Sequence, residues 1–267
     1  MTRRTFFMGA AAAGAAAAYG GAEDAAQRGK RVIAECLEAL GGKAYQTMQD
    51  RVETGRAYSF YNEKLTGLSR AKIYTRHLDN VKPGEIAVRE RQAFGKDEDS
   101  AVLFMGKEGY DLTFRGARPL PEAQMLRYQE SYIHNFLLIL RHRYQEPGLI
   151  FESQGSDVLV NEPVEVIDVT DSENRVTTIY LHYSTKLPIR QRFYRRDPLT
   201  KERHEEISEY SKFRDVGGGV KWPFAVRRER DKEKIFEIYS ESVAVNQGLK
   251  DPLFALPAGV TMLKQSA

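Results

Sequence analysis

Metal and acid–base chemistry come first, because the chain carries five histidines, one cysteine and several acid pairs. The histidines are His77, His134, His142, His182 and His204, and none forms a His-x-x-x-His pair. His134 and His142 fall on roughly one helical face. Two turns, about 12 Å at helical rise, separate them, too far for one metal ion. There is no Gly-x-Ser-x-Gly elbow and no phosphate-cradling loop. Gly217-Gly218-Gly219 lies between strand patterns with no helix after it, as a hairpin turn does. Glu205-Glu206 and Asp97-Glu98-Asp99 sit in polar stretches and read as solvated charge. Cys36 is the only cysteine, which excludes an internal disulfide and four-cysteine zinc sites. It falls on an apolar helical stripe and reads as a core residue. The sequence therefore offers no catalytic set, no metal site and no cofactor motif, and the expectation is a protein that is not an enzyme. Arg195-Arg196, Arg227-Arg228 and Arg230, with Tyr194, form basic–aromatic clusters that would suit lipid headgroups or an acidic partner. Glu229, Asp231 and Glu233 are interspersed, so a solvent-facing strand surface is the favoured reading.

What remains is apolar binding. Pro119 and Pro121 precede a helix expected over 122–143, ended by Pro147-Gly148. Its stripe is Met125, Tyr132, Ile133, Phe136, Leu137 and Leu140. Opposing strands offer Ile73, Val88, Ile179, Leu181, Ile189 and Phe193. The ligand-binding set is thus Ile73, Val88, Ile133, Phe136, Leu137, Leu140, Ile179, Leu181, Ile189 and Phe193. Ordinary core packing explains the helix stripe equally well. A lid does both, since it packs on the sheet when no ligand is present. Burying an acyl chain yields about 0.8 kcal/mol per methylene, or roughly 8 kcal/mol for ten carbons before binding costs. A hollow plugged solid, or one holding a knot of ionisable groups, would contradict this expectation.

The elements that would position such a hollow follow from periodicity. The 267 residues carry 40 Lys+Arg against 37 Asp+Glu, a balance that argues against nucleic-acid binding. Hydrophobic residues at 42% and charged residues at 29% indicate a globular chain. Val32, Ile33, Cys36, Leu37 and Leu40 mark a first helix over about 24–40, stopped by Gly41-Gly42. Period-two strands are expected at 52–61, 69–76, 86–94, 101–105 and 110–114. After the second helix they resume at 149–153, 157–160, 164–170, 176–183, 188–194, 205–213, 220–230 and 233–245. No Pro/Ser-rich linker divides them. The expected fold is mainly β (α+β). It is a long curved antiparallel sheet forming a half-open β-barrel, with helices covering the concave face.

The N-terminus reads as an address. Arg3 and Arg4 precede an Ala/Gly-rich stretch too short and weakly apolar to remain in a membrane. Residues 1–22 are therefore expected to be a twin-arginine export signal, and 23–267 one soluble domain with no permanent membrane span. Ala34-Glu35 before Cys36 does not fit a lipid-attachment site. The expected location is the periplasm, as a monomer.

Glu38-Ala39-Leu40-Gly41-Gly42, then Met48 and the strand from Val52, resemble the opening of LolA/LolB-like periplasmic proteins. The ending from Asn246-Gln247-Gly248-Leu249 to Pro252-Leu253-Phe254 is similar to theirs. Between them, Leu187-Pro188-Ile189 after a turn and Trp222-Pro223-Phe224 fit the same pattern, which spans most of 24–258. The resemblance implies an unclosed barrel with a helical lid. It implies a carrier whose partners are lipid or lipoprotein acyl chains, sorted or transported toward the outer membrane. The chain departs from the family in its twin-arginine signal and its lack of a lipid-attachment cysteine. The alternative is a scaffold module of the cell envelope with a filled barrel and a protein partner instead of a small ligand. A hydrolase or metal enzyme on the same scaffold would need a clustered residue set that the sequence lacks.

Overall fold

Among the described residues thirteen strands form a single sheet in which every neighbouring pair is antiparallel. The computed structural model describes residues 23–79, 81–82, 84–197 and 200–265. The expected export segment, with Arg3 and Arg4, lies outside them. In chain order the strands are β1 (Asp50–Tyr61), β2 (Lys64–His77), β3 (Val88–Phe94), β4 (Ser100–Met105), β5 (Glu108–Thr113), β6 (Gly116–Pro119), β7 (Ile150–Leu159), β8 (Glu162–Thr170), β9 (Val176–His182), β10 (Pro188–Arg196), β11 (Arg203–Asp215), β12 (Lys221–Arg230) and β13 (Glu233–Val245). Their spatial order is β6-β5-β4-β3-β2-β1-β13-β12-β11-β10-β9-β8-β7. Two meanders are thus stitched through the β1–β13 pair, and β6 and β7 are left as edges. The sheet is a half-open barrel, as the alternating patterns predict.

Tight turns make the meanders possible. Asn62-Glu63, Val160-Asn161 and Asp231-Lys232 join β1–β2, β7–β8 and β12–β13, with positive φ at both central residues. A type I′ turn needs that geometry, and its twist matches the strands it joins. Gly217, Gly218 and Gly219, all at positive φ, make the β11–β12 turn. The patterns at 149–153 and 157–160 prove to be one strand. Gly155, at φ 96°, absorbs a register shift within β7 instead of ending it. The short β6 carries too few residues to show a period.

Helix α1 (Ala25–Leu40) starts at Asp24, whose carboxylate accepts from the Gln27 amide at 2.7 Å. It stops at Gly41, φ 125°, whose amide donates to the Glu38 carbonyl at 3.1 Å. Val32, Ile33, Cys36, Leu37 and Leu40 are buried against Phe151, Ile167, Ile179, Leu181 and Trp222. Gly29 lets the helix backbone press on β7, since a Cβ there would lie 2.4 Å from the Phe151 carbonyl oxygen. Arg28 of α1 and Lys186 both pair with the buried Glu165 of β8. A short α2 (Gly42–Thr47) follows at once and inserts the fully buried Tyr45. Its six residues are too few to carry a readable stripe.

The helix expected over 122–143 breaks. Helix α3 (Glu122–His134) ends at Asn135, whose ψ of 106° is extended. A short α4 (Phe136–Leu138) and one π turn (Ile139–Arg143) complete the crossing. The break has a local cause. The Phe136 amide donates to the side chain of Gln191 on β10 at 2.9 Å instead of to a helical carbonyl. Asn135 caps the new start through Leu138 N at 3.3 Å. Arg143 holds the π turn in place by pairing with Glu146 at 2.7 Å and Asp171 at 3.2 Å, and by donating to the Ile133 carbonyl at 3.0 Å.

The C-terminal segment closes the convex face. Phe254 is buried against Tyr74, Ala93, Leu103 and Leu112. The buried Asp50 fixes its path. One carboxylate oxygen accepts from the Gln247 amide at 2.6 Å and the other from the Leu249 amide at 2.9 Å. Replacing this carboxylate leaves two backbone donors without their partner. Asp50→Ala is expected to lower stability by about 2–4 kcal/mol, read as the midpoint of urea unfolding. An unchanged midpoint would mean that the tail is not held this way.

Candidate functional site

The concave face is covered in two pieces. Helix α1, α2 and α4 fill the side formed by β7–β10. Helix α3 lies over β3–β5, where Tyr128 stacks on Phe104 at 3.7 Å and the Tyr132 hydroxyl accepts from the Ala87 amide at 2.8 Å. Between these covers a hollow of about 380 Å³ remains, walled by β1–β3 and β10–β13 and roofed by Ser131, Asn135, Leu137 and Leu138. That volume falls within the about 300–1,000 Å³ of small-molecule sites.

Strand register makes its wall change character along its length. Toward the β1–β2 hairpin it is apolar. Ala57 and Ala71 are joined there by Phe94 and Ile238, with Phe236, Ile73 and Val226 beside them. Toward the opposite end the same faces turn polar, through Glu53, Gln92, Glu90, Thr75 and Arg51. Arg51 pairs with Glu53 on the same face, donates to Thr75 Oγ1 at 2.9 Å, and sits over the Trp222 ring with its guanidinium carbon 4.1 Å from the centroid. Glu53 also accepts from Ser240 Oγ at 2.5 Å. Both charges are removed from bulk water, so each requires the other. Gln191 accepts from Phe136 N and from the Tyr210 hydroxyl, at 2.9 and 2.7 Å. Glu90 differs from the rest. Its one partner among the described residues is Gln92, at 2.5 Å. What surface it keeps borders the hollow, and burial pushes its carboxyl above the ordinary range.

The histidines take structural places. His77 Nδ1 lies 2.8 Å from His142 Nε2, joining the end of β2 to the π turn. The pair divides the main hollow from a second cavity of about 230 Å³ bordered by Tyr132, Ile133 and Arg143. His134 meets Thr177 Oγ1 at 2.7 Å and stacks on Phe193 at 4.2 Å. Burial lowers the pKa of all three. His134 and His142 are each brought to about 4, and His77 well below its ordinary value, with His142 adding to the effect. Among the described residues no group of three His, Cys, Asp or Glu side chains converges to hold a metal.

Of the ten apolar residues singled out from sequence, Ile73, Leu137 and Phe193 border the hollow. Phe136, Leu140, Ile179 and Leu181, and Leu137 with them, lie in the core beneath α1. Val88 and Ile133 pack with Tyr132 away from the main hollow. Ile189 is half-buried at a register shift in β10. The lining is not apolar throughout, because one end carries the Arg51–Glu53 pair and Glu90. The signal for that end was in the sequence. Arg51 and Glu53, Thr75 and His77, and Glu90 and Gln92 are each spaced by two, on the faces that also present Ile73 and Phe94.

A domain from Vibrio parahaemolyticus assigned to outer-membrane lipoprotein sorting superposes with a TM-score of 0.55 at 11% identity, over 86% of this chain and 97% of that one. A LolA superfamily protein from Nitrosomonas europaea matches at 0.51 and 12% identity, over 85% and 97% of the two chains. The chain has the LolA-like fold. A DUF1329 family protein from Desulfovibrio piger matches at 0.57 and 14%, over 87% and 98%. No family profile matches the sequence, and no curated protein matches it. In the LolA-like fold of this chain, no helix among the described residues is long and apolar enough to cross a membrane.

The three neutral histidines give a pH dependence. The folded chain resists protons that the unfolded chain accepts below its ordinary value of 6.5. Their contribution to stability is therefore complete above about pH 6.5 and falls as pH drops toward 4. Thermal unfolding should occur at progressively lower temperature across that window. The slope should be shallower in His142→Asn. Equal slopes for the two proteins would contradict a buried neutral pair.

Proposed function

We propose that this chain is an exported binding protein that holds the apolar part of a lipid, or of lipoprotein acyl chains, in the hollow beneath α3 and α4. The observation that carries this reading is the unfilled space itself. Concave spaces of this size lined by apolar side chains are few per protein and are where small molecules usually bind. Here a wall bearing Ile73, Phe94, Phe236 and Ile238 faces such a space. The LolA-like fold supports the same reading, and so does the assignment of the Vibrio protein to lipoprotein sorting. Binding needs no catalytic residue, and most polar groups of the wall are engaged with one another.

Export would proceed through Arg3 and Arg4, with the mature chain acting in the periplasm as a monomer. The hollow is small for several chains at once. A multiply acylated cargo would need the α3–α4 bridge to move, whereas a single chain would not. Transport toward the outer membrane would then depend on an envelope partner that receives the ligand.

The test is uptake of a fluorescent fatty acid by delipidated mature protein. Wild type should take up about one equivalent. Ile73→Asp, which places a charge on the apolar wall, should weaken uptake at least about tenfold while urea unfolding stays cooperative. No uptake of any acyl probe, with an unknown protein retained from periplasmic extract instead, would favour the scaffold reading and overturn this one.

A further inference from the structure

The charges around the hollow pair off, with two exceptions. Arg51 is matched by Glu53. Arg230 is matched by Glu206 at 2.7 Å, and Arg195 shares that carboxylate at 3.4 Å. Arg228 also borders the hollow and is exposed. Among the described residues it makes no ion pair and no hydrogen bond. Its guanidinium lies 5.8 Å from the ring of Phe236, at the apolar end of the wall. Its strand neighbour Ser208 is followed by the Gln191 and Tyr210 pair, so hydrogen-bonding groups continue inward from it. The other exception is Glu90, which among the described residues accepts from Gln92 and forms no ion pair, though Arg51 and Arg228 lie near enough to favour its charged form.

A lone guanidinium beside an apolar wall is a recognisable arrangement. Neighbours on a strand surface usually neutralise each other, as Arg227 does with Glu229 one residue to either side of Arg228. Alternation along β12 turns Arg227 and Glu229 to one face and Arg228 to the hollow. Arginine presents a planar fork of donors that matches carboxylate or phosphate oxygens. Burial raises the Glu90 carboxyl above its ordinary range while the nearby guanidinium groups of Arg51 and Arg228 oppose that rise, so Glu90 is the acid of the wall whose charge bears on an incoming anion.

We propose that the ligand is an amphiphile with one apolar chain and an anionic head, carboxylate or phosphate, held by Arg228 while the chain lies along Ile73, Phe94, Phe236 and Ile238. This rests on the binding reading above and adds the headgroup to it. It also assigns the Arg227-Arg228 cluster a role that composition alone made look like plain surface.

The experiment compares four twelve-carbon probes on mature protein by calorimetry: dodecanoate, monododecyl phosphate, 1-dodecanol and dodecyltrimethylammonium. The two anions should bind about tenfold to a hundredfold tighter than the alcohol, the range expected of a charged hydrogen bond. The ammonium probe should be weakest. The tighter of the two anions identifies the head as carboxylate or phosphate. Arg228→Gln should erase the preference for anions while leaving dodecanol binding unchanged. Arg228→Lys should restore part of it. Glu90→Gln, which removes a carboxylate from the wall, should retain the preference. Arg228 is exposed, so its two variants are expected to unfold at the wild-type urea midpoint. If dodecanol binds as tightly as dodecanoate, or Arg228→Gln keeps the preference, the headgroup assignment fails and the apolar site stands. If no probe binds at all, the site itself fails, and the headgroup with it.

Discussion

The two ends of this sheet, β6 and β7, never pair, and the covering of the concave face between them governs the rest. A curved sheet with one apolar face must bury that face against something. One side is met by α1 and α2, whose stripe is dense enough to make an ordinary core. The other is met by α3. The chain from β6 to β7 has to cross from one edge to the other, so it becomes the roof. Because α3 breaks at Asn135, the roof bends and dives into the α1 core through Phe136. The space beneath the bend is what neither cover fills.

The floor of that space explains why it stays open. Arg51 and Glu53 are too costly to bury singly, and they hold each other with Thr75, Ser240 and Trp222 around them. Collapse of the roof onto this end would desolvate more polar surface without offering new partners. The apolar end has no such support and is shaped by small residues, Ala57 and Ala71, facing Phe94 and Ile238. A rigid polar end and a greasy end on one wall together favour a guest with the same division.

Much of the fold was legible in the sequence and less of the site. The α1 stripe ending in Gly41, the alternation in 69–76 and 205–213, and the Asp231-Lys232 turn each state their structure locally. The unity of β7 was hidden, because Gly155 reads as a stop and acts as a bulge. The break at Asn135 was hidden as well, since its cause is Gln191, more than fifty residues away. The same limit applies to the hollow. Periodicity identifies which residues face inward, but not which inward residues meet a helix and which meet space. Phe136, Ile179 and Leu181, which could be wall or core from the pattern alone, are core, while Arg228, read as surface, borders the cavity. The resemblance drawn from short segments pointed to the right fold because those segments, such as Asn246 to Leu249 against Asp50, are fixed by local backbone needs.

The central claim is that this hollow is the binding site, and filling it is the most direct check. Ala57→Phe places a ring on the wall of the hollow. Native mass spectrometry with dodecanoate should show one ligand on the wild type and none on this variant, both proteins remaining folded by circular dichroism. Equal occupancy of the two proteins would mean that the ligand sits elsewhere and that the hollow is not the site.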